Sequence, residues 1–229
     1  MARGQSDIGE PLTLEVEGGR RVSARLELPA KARACYVLAP GAGAGMDHPF
    51  MSATAWELGA LGIGTLRFQF PYMEQRSRRP DTPPVCHATV RAAVAEAARH
   101  APGLPLLAGG RSFGGRMSSQ AQALSPLPSV RALVFLGFPL HPAGAPSDSR
   151  ARHLFDVQLP MLFIQGARDA LAERNLLEPI VTRLGPRATL HVVEDADHSF
   201  HVPARTGRSD ADVRHALWRV LAQWVDLLP

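Results

Sequence analysis

The sequence predicts an α/β fold, with a mostly parallel central sheet, an N-terminal antiparallel hairpin and helices on both faces. Three observations carry this. From residue 34 onward, short apolar runs alternate with helical patterns, as happens when parallel strands are joined by helical crossovers. Ahead of them, two stretches alternate apolar and polar residues around a Gly-Gly turn, the mark of a hairpin with one wet face. Near the middle, an apolar run ends in a glycine-flanked serine that opens a helix.

Each element has its own signal. Residues 12–17 and 21–28 form the hairpin, turning at Gly18-Gly19. Residues 34–39 (ACYVLA) are continuously apolar, hence a buried strand. The stretch PGAGAGMDH (40–48) follows, and a proline at residue 49 opens a helix to residue 61. A strand over 63–68 is closed by Pro71-Tyr72, and 76–84 is a basic, proline-rich loop. A helix is expected over 85–100, a strand over 104–108 and a helix over 116–124. Then come a strand (130–138), an irregular connector (139–158), a strand (161–165), a helix (171–184) and a strand (188–193). The loop 194–207 leads to a terminal helix from Ser209, with Ala216, Leu217, Val220, Leu221, Trp224 and Leu228 on one face. Residues 1–229 read as one domain, without a repeat and without a large lid. The connector is too rich in proline and glycine to make a paired-helix cap.

Composition narrows the function classes. The chain has 229 residues, 45% hydrophobic and 20% charged, which suits a globular protein with a sizeable core. Its formal charge of +4 is nearly all arginine, Lys31 being the only lysine. The arginines are scattered and no stacking aromatics are interleaved with them, so nucleic-acid binding is not expected. Cys35 and Cys86 are too few for a disulfide scaffold or a CxxC metal site. No uncharged run approaches a membrane span, and the N-terminus lacks the apolar core of a signal peptide. The cytoplasm is the default compartment, with no membrane partner and neither cofactor nor metal expected; oligomeric state is not readable.

The chemistry centres on Gly110-Arg111-Ser112-Phe113-Gly114, which fits the G-x-S-x-G nucleophile elbow between strand and helix. By itself the five-residue pattern is common, and a serine merely capping the helix would look the same. A serine hydroxyl needs a base, and the base needs an orienting group. The hydrolase chain order is Ser, then Asp or Glu, then His. Asp169 and His198 both follow strands at the ends where that order requires them. Asp169 alone would equally suit a helix cap near Leu171, and a lone loop histidine is usually just solvated. Together with Ser112, in order and at the correct strand ends, they form the candidate triad. His141, His191 and His201 are weaker bases, and Asp195 and Asp197 lie too near His198 to serve as its acid easily. The loop after the first parallel strand, rich in Gly and Ala, leaves N–H groups unobstructed. Oxyanion donors are expected from Ala42, with Gly41 and Gly43 beside it at the substrate, and from Phe113. Arg111 and Arg67 are further candidates for substrate contact, each able to favour a carboxylate or phosphate; an internal ion pair bracing the elbow is the alternative.

The segments GAGAGMDHPF (41–50), RFQFPY (67–72), GGRSFGGRM (109–117) and ADHSF (196–200) resemble a small lidless α/β-hydrolase family. Its bacterial members are described as dienelactone-hydrolase-like or esterase/lipase-like. Its eukaryotic relatives include a testis-expressed protein and a subunit of a chromatin acetyltransferase complex. The similarity continues through Val202-Pro203 and residues 206–208 and so covers nearly the whole chain. It implies the α/β-hydrolase fold and the Ser112, Asp169 and His198 roles, but no substrate. Dienelactone hydrolases use a cysteine where Ser112 stands, which points away from dienelactone itself. The family's usual His-Gly ahead of the oxyanion loop is Pro40-Gly41 here. The expected activity is hydrolysis of a small carboxylic ester or thioester through an acyl-enzyme. The alternative is a non-catalytic binding or scaffold protein on the same fold.

Overall fold

The computed structural model describes residues 9–77 and 79–228. An antiparallel hairpin comes first, β1 (Glu10–Val16) with β2 (Arg20–Glu27), Leu14 facing Val22 across the ladder. β3 (Ala34–Ala39) and β4 (Ile63–Phe68) are buried at every position. β5 (Leu106–Arg111), β6 (Val130–Leu136), β7 (Met161–Gly166) and β8 (Ala188–Val193) complete one eight-stranded sheet of order β1-β2-β4-β3-β5-β6-β7-β8. β2 joins β4 antiparallel, and every pair from β4 to β8 is parallel. The continuous apolar runs are therefore the strands buried on both faces, while the alternating hairpin sits at the edge.

Helices cover both faces. α1 (Pro49–Ala60) and the terminal α6 (Asp210–Val225) bury Met51, Leu58, Leu217 and Trp218 against Tyr36, Leu38, Val134 and Ile164. On the other face α3 (Pro83–His100), α4 (Phe113–Leu124) and α5 (Arg174–Leu184) pack Val90, Met117 and Leu177 onto Cys35, Val37, Phe135 and Phe163. Pro83 opens α3 without needing the N–H it lacks. α6 starts with a reciprocal capping box between Ser209 and Asp212. No helix among the described residues is long and apolar enough to cross a membrane.

Two of the short elements that depart from the expected loops lie near the elbow helix or the 41–48 loop. Pro71–Glu74 is a single helical turn, α2, whose Tyr72 N–H is held by the Asp81 carboxylate at 2.8 Å. Inside the 139–158 connector, Ser149–Asp156 is a 3-10 helix with Ala151 and Leu154 buried. His153 in that helix meets the Ser119 hydroxyl on α4 at 2.8 Å, so the connector lies along α4.

Candidate active site

β5 passes into α4 through one residue. The strand runs through both glycines to Arg111, and the helix begins at Phe113 rather than Arg116. Ser112 between them sits at φ +47°, ψ −113°, outside the basins an L-residue favours. Holding such a conformation costs about 1–3 kcal/mol, which the flanking sheet and helix supply. The glycine ahead of it is required: a Cβ on Gly110 would stand 2.1 Å from the Ala39 carbonyl oxygen on β3. Although Ser112 occupies the N-cap position of α4, its side chain caps nothing. Its Oγ instead lies 2.9 Å from His198 Nε2.

The chain of contacts continues through the imidazole. His198 Nδ1 lies 2.6 Å from Asp169 Oδ2, so with the proton on Nδ1 the ring donates to the carboxylate and accepts from Ser112 at Nε2. Asp169 is fully buried at its side chain, and His198 is largely so. The Leu171 N–H donates to Asp169 Oδ1 at 2.8 Å, but α5 starts later, with Glu173 at its N-cap position. Asp169 thus orders a turn through Oδ1 and faces His198 through Oδ2. The 194–201 loop is tied to itself: Asp197 Oδ1 accepts from the Ser199 and His201 N–H groups. Gly137, at φ +71°, makes room for the ring, since a Cβ there would stand 3.3 Å from His198 Nδ1.

The competing groups are engaged elsewhere. His141 is buried between the Pro142 carbonyl and the Glu173 carboxylate. His201 pairs with Asp210 and Asp195 with Arg205, both on the surface. His191 lies on β8.

A cleft of about 450 Å³ opens at the carboxyl ends of the strands, lined by residues 41–44, His48, Arg111, Ser112, Leu171, His198 and Ser199. Gly41, Ala42 and Gly43 reach it as expected, with one refinement. The Gly43 N–H donates to the Tyr72 hydroxyl at 3.0 Å, so it braces the loop. Among the described residues the Ala42 and Phe113 N–H groups meet no acceptor. Phe113 sits in the first turn of α4, where N–H groups have no intrahelical partner.

Arg67 is a correction. It was a candidate for substrate contact, yet its side chain is completely buried on β4 and does not line the cleft. Its Nη1 donates to the Met46 carbonyl at 2.8 Å and to Ser52 Oγ at 3.0 Å. Gln69 Oε1 accepts from the Met46 N–H at 2.9 Å. Asp47 pairs with Arg25 at 2.8 Å. These contacts anchor residues 46–47 from below, so Arg67 shapes the 41–48 loop and does not meet a ligand. Arg111, by contrast, does border the cleft. Burial pushes its guanidinium below the usual arginine range, and the charges of Asp197 and Asp169 pull it back up.

Two residues that the sequence did not single out belong to the site. Gln165, buried at the end of β7, accepts from the Phe138 N–H at 2.8 Å through Oε1 and donates to Asp169 Oδ2 through Nε2. Its amide dipole orients the carboxylate that faces His198. His48 caps α1, its Nδ1 accepting from the Phe50 N–H at 3.2 Å. Burial, and then the Arg111 charge, push its imidazole below the ordinary histidine range. A glutamine in an apolar strand and a histidine before a proline carry no spacing signal.

Comparison with known proteins agrees with the fold. Residues 32–226 match the model of a family described as the alpha/beta hydrolase domain. A Xanthomonas campestris protein described as an a/b serine hydrolase without lid is 25% identical, with 97% of this chain and 96% of that one covered and a TM-score of 0.72. An alpha-beta serine hydrolase homologue from Coxiella burnetii is 19% identical, with 93% and 98% covered and a TM-score of 0.74. A dienelactone hydrolase from Anabaena variabilis is 20% identical, with 96% and 97% covered and a TM-score of 0.76. With its eight-stranded sheet, its strained serine at the β5–α4 elbow and a family match over most of its length, the chain belongs to the alpha/beta hydrolase domain family.

Proposed function

We propose that this protein is a serine hydrolase that cleaves a small carboxylic ester or thioester through an acyl-enzyme, with Ser112, His198 and Asp169 as its catalytic triad. The carrying observation is the unbroken contact chain from Ser112 Oγ to His198 Nε2 at 2.9 Å and from His198 Nδ1 to Asp169 at 2.6 Å. Ser112 Oγ attacks the carbonyl carbon as His198 takes its proton. The carbonyl oxygen gains negative charge and is held by the N–H groups of Phe113 and Ala42. The tetrahedral adduct collapses, His198 returns the proton to the departing alcohol or thiol, and the acyl group stays on Ser112. Water, deprotonated by the same imidazole, then releases the acid. Asp169 keeps the Nδ1–H tautomer and stabilises the imidazolium as it forms.

The 3-10 helix of the connector lies along α4, and no residue of 139–158 lines the cleft. A cleft open on that side covers little of a long acyl chain, so the substrates are short acyl groups without interfacial activation. A fluorophosphonate probe tests the reading. Stoichiometric label on Ser112, absent from Ser112→Ala, supports it. No label on folded protein overturns it and leaves a binding or scaffold role on the same fold.

A further inference from the structure

The cleft contains a cation, Arg111, that no counter-charge among the described residues touches. Arg111 leaves the end of β5 and passes Gly41, its Cγ 3.7 Å from where a Cβ on that residue would sit. Its guanidinium carbon lies 4.4 Å from the centroid of the Phe50 ring, and Nη2 donates to Ser199 Oγ at 3.1 Å. Among the described residues no carboxylate oxygen comes within salt-bridge distance of it. The nearest acidic charges are Asp197, whose Oδ1 accepts from the Ser199 and His201 N–H groups, and Asp169, whose two oxygens meet Leu171, Gln165 and His198. A guanidinium offers five N–H donors. Taking one partly out of water without an anion in contact is costly, and a ligand anion is the natural compensation.

His48 borders the same cleft beside it. Because Nδ1 accepts from the Phe50 N–H, the ring proton belongs on Nε2, a neutral N–H donor next to the guanidinium. One fixed cation plus one neutral donor offsets at most one negative charge in contact with them, and Asp197 and Asp169 close behind oppose any larger one. A carboxylate matches both that charge and the planar fork of arginine. A phosphate monoester, carrying about −1.5 to −2, would be under-compensated.

We infer that Arg111, assisted by His48, forms a carboxylate subsite beside Ser112, so that the preferred substrates are small esters bearing one free carboxylate. This rests on Ser112 being the nucleophile. The test compares monomethyl succinate and monomethyl glutarate with methyl succinamate and methyl glutaramate, near-isosteric esters in which a neutral amide replaces the carboxylate. O-acetylglycolate against O-acetylglycolamide places the charge on the alcohol side instead. Rates are followed by pH-stat. One charge-assisted contact gives the wild type a kcat/KM ratio of about 10 to 100 in favour of the acid, on whichever side of the ester the subsite lies. In Arg111→Gln that ratio falls to within about threefold of one, whatever the absolute loss. In Arg111→Lys, where charge is kept and the fork lost, it takes an intermediate value, which covers the case of a glutamine variant that fails to fold. A wild-type ratio at or below one on both sides overturns the subsite. So does an equal loss on acid and amide in the variants, which would make Arg111 a brace for the His198 loop through Ser199. Fluorophosphonate labelling of the same samples separates the two readings. Label on Ser112 without charge preference overturns the subsite alone, and no label overturns the nucleophile and the subsite with it.

Discussion

Replacing Gln165 by Leu changes one amide that two parts of the site share. The amide accepts from the Phe138 N–H at 2.8 Å and donates to Asp169, in a position only 3% exposed. Leucine fills similar space but leaves a buried N–H without an acceptor, at about 1–3 kcal/mol, and removes one donor from a buried carboxylate, at about 1.5–3 kcal/mol. Together the variant should lose about 2.5–5 kcal/mol of unfolding free energy, partial relaxation trimming the upper end. The Phe138 part acts on stability, whereas the Asp169 part acts on catalysis as well. Asp169 keeps the Leu171 N–H and His198, so it stays in place but less firmly oriented. We expect kcat on a short-chain ester to fall about 10- to 100-fold, equivalent to about 1.4–2.8 kcal/mol, with KM nearly unchanged because Gln165 does not line the cleft. Gln165→Glu keeps the acceptor for Phe138 but sets a second carboxylate against Asp169, and should lose more kcat than the leucine variant. Urea denaturation and steady-state kinetics on both variants check this. Lower stability with kcat within twofold of wild type would make Gln165 a structural brace only. An unchanged midpoint would refute the shared hydrogen-bond network.

Three further predictions follow from the same geometry. Asp169→Asn should lower kcat by about three to four decades, because the amide favours the wrong imidazole tautomer; a loss below tenfold would move the acid role elsewhere. His153, pushed down to about 4 by burial and then by the Arg116 charge, is neutral in the fold above about that pH. The unfolded chain binds that proton below about pH 6.5, so stability should fall as pH drops from about 6.5 to 4 and level off below, by at most about 3 kcal/mol. Urea midpoints at pH 7 and pH 4 should show His153→Gln losing less than wild type, and equal losses would contradict this. On p-nitrophenyl esters from C2 to C12, kcat/KM should peak at short chains, since each uncovered methylene forgoes about 0.8 kcal/mol; a steady climb to C12 or a jump at the micelle threshold would refute an open site.

The parts of the molecule that the sequence foretells are those where local chemistry allows one solution. Residues 34–39 are apolar at every position because β3 is buried on both faces, and the hairpin alternates because it is not. The glycines around Ser112 mark the elbow because no Cβ fits there. Asp169 and His198 were picked out through chain order, a property of the fold's connectivity, and the structure brings both to Ser112. The remainder depends on contacts between distant segments. Arg67 reads like any arginine at a strand end, yet its partners Met46 and Ser52 lie 21 and 15 residues away, and they draw it inside. Gln165 acquires its meaning only when β7 brings it between Phe138 and Asp169. The single turn of α2 and the 3-10 helix at Ser149–Asp156 are too short to generate a period. The elbow strand extends beyond its apolar run because ladder hydrogen bonds to β3 and β6 continue through Gly109 and Gly110.

The central claim is that Ser112 carries the acyl group during turnover. Rapid-quench mass spectrometry with p-nitrophenyl butyrate measures this directly, by mapping the adduct in a peptide digest collected within the first turnovers. A butyryl group on Ser112 is expected to form with a burst of p-nitrophenol and to be absent in Ser112→Ala. Turnover with no adduct on Ser112, or with the butyryl group on another residue, would contradict it.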